Sequence, residues 1–130
     1  MADDWYVEAI DRIERSAAHL SEAIEATMES LRHARADRLA GVELVEVVHG
    51  LVDRGGRQAR LAPQVAFEAF ERAVGDYRSE VIRALVDEKH MTFSEVGGLT
   101  GVSRQIVAKL YRRAKDENLG LRGEHPAPDV

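Results

Sequence analysis

The chain has 130 residues and a formal net charge of −5, with 45% hydrophobic residues, 32% charged residues and no cysteine. That length suits one domain, or one small domain with an appendage, and the composition is that of a globular chain. It excludes a disulfide framework, a thiol nucleophile and a zinc–thiolate site, and no run approaches the roughly 18 consecutive apolar residues of a membrane span.

The opening Met1-Ala2-Asp3-Asp4 is acidic where a secretory leader is basic, which points to the cytoplasm. From Tyr6 to Ala34 the sequence keeps a 3-4 spacing through Tyr6, Ile10, Ile13, Ala17, Leu20, Ile24, Thr27, Leu31 and Ala34, with no proline or glycine inside it. This pattern predicts a long amphipathic helix of about four heptads. Two uses of the stripe stay open: a coiled coil that makes a homodimer through Tyr6–Ala34, or packing inside the same chain, toward which Met28 broadens it.

Gly41 ends or interrupts this helix. In the next segment Leu44, Val45, Val48, Leu51 and Val52 fall on one helical face in spite of their β-branched character, so a short helix over Val42–Val52 is expected. Gly55-Gly56 supplies its stop. Arg54 to Arg60 then reads as a basic loop, expected to be solvated, with contact to a nucleic-acid phosphate as the alternative. Pro63 suits the first turn of another helix, where its missing N–H costs nothing. From there Phe67, Phe70, Val74, Tyr77, Val81 and Ala84 follow a 3-4 rhythm, and Ile82, Leu85 and Val86 widen the face. A widened face needs neighbours on two sides, and Gly75-Asp76 is an expected bend or break.

Residues 92–115 carry the densest signals. Thr92 with Glu95 three positions on forms a capping box, Gly101 stops the resulting helix after two turns, and Ser103 can cap a second helix running to Lys115. Two short helices joined by a tight glycine-containing turn make a helix-turn-helix. Val96 and Leu99 are expected to face inward, as are Val102, Val107 and Leu110; Gly97 would allow close approach of the helices, and Gly101 a left-handed turn. The outer face of the second helix would then hold Ser103, Arg104, Gln105, Ala108, Lys109 and Arg112, as base-reading candidates. Thr92, Arg113 and Lys115 are placed for phosphates. Charge supports this: residues 1–40 carry −4, 41–90 carry −2 and 91–130 carry +1, and Ser103–Lys115 holds five bases and no acid. A phosphate backbone would sense that patch rather than the average.

The stretch Val96-Gly97-Gly98-Leu99-Thr100-Gly101-Val102-Ser103-Arg104-Gln105-Ile106-Val107 resembles the helix-turn-helix of bacterial and phage transcription regulators, and also the promoter-reading last region of sigma factors. The resemblance covers about 24 residues, or about 45 with Tyr77–Lys89 as supporting helix. It implies a trihelical DNA-binding head whose third helix reads the major groove. Gly98 departs from the pattern by adding flexibility to a short helix, and no hairpin follows Lys115 to suggest a winged variant.

The chemistry of catalysis is missing from the pattern. His19, His33, His49, His90 and His125 lack metal-ligand spacing, neither glycine pair is followed by Gly-Lys-Ser/Thr, and Ser103 sits in no nucleophile elbow. The expected molecule is therefore all-α: an N-terminal helical, self-associating region over 1–62, a helix-turn-helix domain over 63–118 and a disordered tail over 119–130. Its expected role is a sequence-specific regulator, a repressor, that binds double-stranded DNA in the cytoplasm at the nucleoid, without enzymatic activity, cofactor, metal, small-molecule ligand or membrane. The alternative is a helical adaptor or phage assembly protein whose head contacts protein.

Overall fold

The computed structural model describes residues 4–117, with the backbone only at 55–60 and 117. Among the described residues four α-helices follow one another: α1 Asp4–Leu39, α2 Leu44–Asp87, α3 Phe93–Thr100 and α4 Arg104–Glu117. The fold is all-α, with no strand among the described residues, and no helix among them is long and apolar enough to cross a membrane. The tail expected to be disordered lies outside the described residues.

The middle of the chain differs from expectation. Val42–Val52, the Arg54–Arg60 loop, the Pro63 start and the Gly75-Asp76 break merge into the single 44-residue α2, with Pro63 inside it. Local propensity argues against this, since each interior glycine costs about 1 kcal/mol and proline about 3 kcal/mol. Packing overrides it: Val47 before the weak stretch and Ala66 and Ala73 after it are all buried, so helix on both sides is anchored. Arg54 is exposed on a helix rather than in a loop, and the side chains of Arg57 and Arg60 lie outside the described residues.

The chain divides into two compact units. The boundary expected at 62/63 falls within α2; the division instead follows Ile13 and precedes Arg72. Glu14–Glu71 is a helical hairpin. Its α1 arm ends in a Schellman motif, in which Val42 N donates to Asp37 O (3.0 Å) and Gly41 N to Arg38 O (3.1 Å). Gly41 supplies the left-handed φ of 93° this motif requires.

The other unit joins the start of α1, through Ile13, to the chain from Arg72 onward. Ile82, Val96 and Val107 form its core, flanked by Leu85, Val86, Met91, Phe93, Val102, Leu110 and Tyr111. This is the expected trihelical packing of α2, α3 and α4. An unexpected fourth element joins it, because Ala9 of α1 is buried against Ala114 of α4, with Tyr77 beside them. Tyr6 and Tyr77 share a hydroxyl hydrogen bond of 2.9 Å and pack edge to face at 5.5 Å. The first part of the stripe expected to self-associate is thus engaged within the chain.

Candidate nucleic-acid interface

Three local devices fix the geometry of α3 and α4. The capping box is formed in both directions: Glu95 N donates to Thr92 Oγ1 (3.0 Å) and Thr92 N to Glu95 Oε1 (2.8 Å). The two orphan N–H groups so satisfied set where α3 begins. At its other end Gly101 is left-handed, φ 81°, and donates to Gly97 O at 2.8 Å. Ser103 Oγ then accepts from Ile106 N at 3.2 Å and starts α4 within three residues of the end of α3.

Close approach is set by Gly97. A Cβ there would lie 2.8 Å from Val102 O and 3.8 Å from Arg104 N, both backbone atoms of the turn. Gly98, one position on, would meet nothing within 4 Å. Val96 and Val107 are fully buried, as their inward assignment requires. Leu99 is not: it is 65% exposed, because Phe93, Val96 and Gly97 already fill the inward arc of a helix only eight residues long.

On α4, Arg104, Gln105, Lys109 and Arg112 are exposed along one side, and Ala108 is half-buried at its flank. Ser103 is exposed at the head of the helix, but its hydroxyl oxygen is engaged as the cap. Arg104 lies over the Phe93 ring, 6.0 Å from its centroid, within range of a weak cation–π contact that limits its rotamers. Lys109 and Arg112 make no ion pair among the described residues.

The three residues assigned to phosphates divide differently. Thr92 is exposed beside the start of α3. Arg113 was expected to point outward, but its side chain is only 28% exposed and donates to Asp76 Oδ1 at 2.6 Å. Gly75 makes this possible, since a Cβ there would overlap the Arg113 guanidinium, with Cζ at 3.2 Å. Arg12 of α1 approaches the other Asp76 oxygen at 4.0 Å. Lys115 is exposed but paired with Asp87 at 3.0 Å. Asp87 also accepts from Tyr111 at 2.7 Å and lies 3.5 Å from Arg83, which in turn holds Glu80 and Glu88 at 2.7 and 2.9 Å. Partial burial works against the Asp87 carboxylate, but the hydrogen bonds from Tyr111 and Lys115 and the charge of Arg83 outweigh it and hold its pKa below the ordinary aspartate value. The same contact raises the Tyr111 phenol and, against its own desolvation, the Lys115 ammonium.

Sequence reasoning missed Ile106, which is 41% exposed on α4 between Gln105 and Lys109. Helical spacing from the buried Val107 would have placed it at the edge of the outer face, where an apolar group can meet a thymine methyl. It also missed Phe93 as the support of Arg104. Comparison with protein-family models, with characterised proteins and with solved structures finds no match.

Proposed function

We propose that the protein binds double-stranded DNA sequence-specifically, with α4 in the major groove, and acts as a transcription regulator that represses by occupying its site at the nucleoid. The observation that carries this reading is the sorting of charge on α4. Arg104, Lys109 and Arg112 project from the exposed side with no carboxylate partner among the described residues, while Arg113 and Lys115 are neutralised by Asp76 and Asp87. A solvated structural helix gains nothing from leaving one side unpaired. A helix that meets base edges and phosphates needs it.

In this geometry Arg104 and Gln105 occupy the first turn, where arginine pairs with guanine and glutamine with adenine through two hydrogen bonds each. Lys109 and Arg112 follow one and two turns later. With Arg104 on a base edge, Lys109 and Arg112 are left to neutralise about two phosphates, so log K against log salt should fall with a slope near −2 per head. The exposed Leu99 favours the competing reading, a head that docks on protein, which would show no such slope.

The test is selection of bound sequences from random duplexes, followed by fluorescence anisotropy over a range of salt. Arg104→Ala or Gln105→Ala should cost about 1–3 kcal/mol on the selected site and relax base choice there. If both variants stay folded and bind that site as tightly as the parent, α4 does not read bases and the proposal fails.

A further inference from the structure

We infer that the hairpin Glu14–Glu71 is one half of a four-helix bundle, and that a second copy of this chain covers its open face. The inference concerns the hairpin alone and does not rest on what α4 binds.

Within the hairpin, the half-buried positions of α1 follow an unbroken 3-4 rhythm through Leu20, Ala23, Thr27, Ser30, Ala34 and Asp37. In a compact unit made of α1 and α2 alone, half-burial marks the face turned to the other helix, yet after Leu20 these positions are small or polar. The large apolar residues stand beside them and remain in water: Ile24 is 47% exposed, Met28 40% and Leu31 44%. On α2, too, large apolar residues stand in water beside the buried ones. Val47 is buried and Gly50 and Leu51 are half-buried, while Leu44, Val48 and Val52 are 58%, 49% and 39% exposed. The inner face of α1 is small or polar after Leu20, Val47 and Leu51 of α2 supply most of the seam's bulk, and six further apolar side chains of the two helices stay in water.

At about 100° per residue, each exposed stripe lies roughly a quarter turn from its own helix's buried positions, in the same rotational sense. The two helices of a hairpin run antiparallel, so equal rotation places both stripes on one side of it. The stripes meet where Leu31 and Val52 lie level across the hairpin, and together they expose on the order of 500 Å², at the upper end of what the largest apolar patch on a monomer reaches. Two such faces in contact would remove on the order of 1,000 Å² of apolar surface, and with their polar rims reach the range of a stable interface.

A second copy fits this face for two reasons. A two-helix layer has a thin core, here little more than Leu20, Val47 and Leu51, and stacking it on its own equivalent produces the four-helix arrangement that buries both stripes. The rim carries both signs, with Arg32 paired to Glu25 at 3.0 Å and His49 near Asp53 at 3.5 Å. A two-fold contact of the face with itself therefore meets no single-signed field. This replaces the coiled coil along Tyr6–Ala34 by a face that both helices build.

The experiment is sedimentation equilibrium of the full chain without DNA, at tens of micromolar. The expected mass is twice the 14.4 kDa of one chain. Ile24→Glu combined with Val48→Glu, both on the exposed face, should weaken self-association at least tenfold while helix content stays that of the parent. Should the double variant lose its fold, the cysteine-free sequence offers a second measurement. Maleimide labelling of Met28→Cys should slow as protein concentration rises, whereas labelling of Glu22→Cys, on the far side of α1, should not. A parent chain that is monomeric at these concentrations overturns the inference and leaves the face to a different protein. So does self-association that survives the double variant, or equal labelling of the two cysteines at every concentration.

Discussion

Two neighbouring glycines in α3 should respond to the same substitution with opposite signs. In Gly97→Ala the new methyl carbon would lie 2.8 Å from Val102 O, closer than carbon and oxygen tolerate. The obstacle is backbone held in a turn between Gly101 and the Ser103 cap, so it cannot swing away as a side chain tip would. Overpacking of this kind costs about 1–3 kcal/mol, against which alanine recovers about 1 kcal/mol of helix propensity. A net loss of about 1–2 kcal/mol is expected, and on the proposed function weaker DNA binding as well, because relief of the clash must move α4 relative to α3. Gly98→Ala meets nothing within 4 Å and keeps only the propensity gain, up to about 1 kcal/mol in the stabilising direction. Urea unfolding followed by circular dichroism reads both changes. If Gly97→Ala is as stable as the parent, the close approach of α3 to the turn is not a constraint, and the account of the helix-turn-helix geometry is wrong.

Arg112→Ala should leave stability within about 0.5 kcal/mol of the parent, as for an exposed residue with no ion pair among the described residues. Arg113→Ala should cost about 1–3 kcal/mol, since it removes a charged hydrogen bond to the buried Asp76; thermal melts of the two variants side by side distinguish them, and equal stability would return Arg113 to the solvent-facing set. Gly75→Ala should become favourable in the Arg113→Ala background, because the guanidinium it would strike is gone. The Asp87 carboxyl is held below the ordinary aspartate value of 3.8, so the unfolded chain binds the extra proton first, and this group's stabilisation is complete above that value and lost as pH falls through the lower, folded one. Tyr111→Phe removes one of the hydrogen bonds that lower it, so the acid limb of a stability–pH curve should move to higher pH; an unmoved limb would show that the contact does not govern Asp87.

What could be read from the sequence was local. The Thr92–Glu95 box, the Gly101 turn, the Ser103 cap and the inward Val96 and Val107 each depend on residues within a turn or two, and the chain states them directly. Signals that compete with distant packing were misread. Gly55-Gly56 and Pro63 are breakers by propensity, and only the buried Val47, Ala66 and Ala73 on either side explain why α2 continues through them. The pairing of Asp76 with Arg113 spans 37 residues, so no spacing rule reveals that one of the five bases of Ser103–Lys115 is bound to an acid. The α1 stripe showed its periodicity but not its use. Tyr6 and Ala9 pack against Tyr77 and Ala114, Leu20 and Ala34 line the hairpin seam, and Ile24 and Leu31 stay exposed, although all six share one 3-4 pattern or its edge.

The electrostatics of the head follow from which acids α2 presents. The whole chain is negative, so an α4 with all five bases in solvent would still sit in the field of an acidic protein. Instead Asp76 and Asp87 neutralise Arg113 and Lys115, in the last two turns of α4, and Asp116 follows them. Among the described residues, uncompensated charge is left at Arg112 and Lys109, two turns and one turn on, and at Arg104 in the first turn. The macrodipole is positive at that same end, so side-chain charge and backbone dipole add where a recognition helix would enter the groove. The far end, close to neutral, offers little attraction of its own. A helix charged evenly along its length would bind phosphate in many orientations. One whose free charge lies on a single face, as at Arg104, Lys109 and Arg112, would on the proposed function favour the orientations that bring Arg104 and Gln105 to base edges.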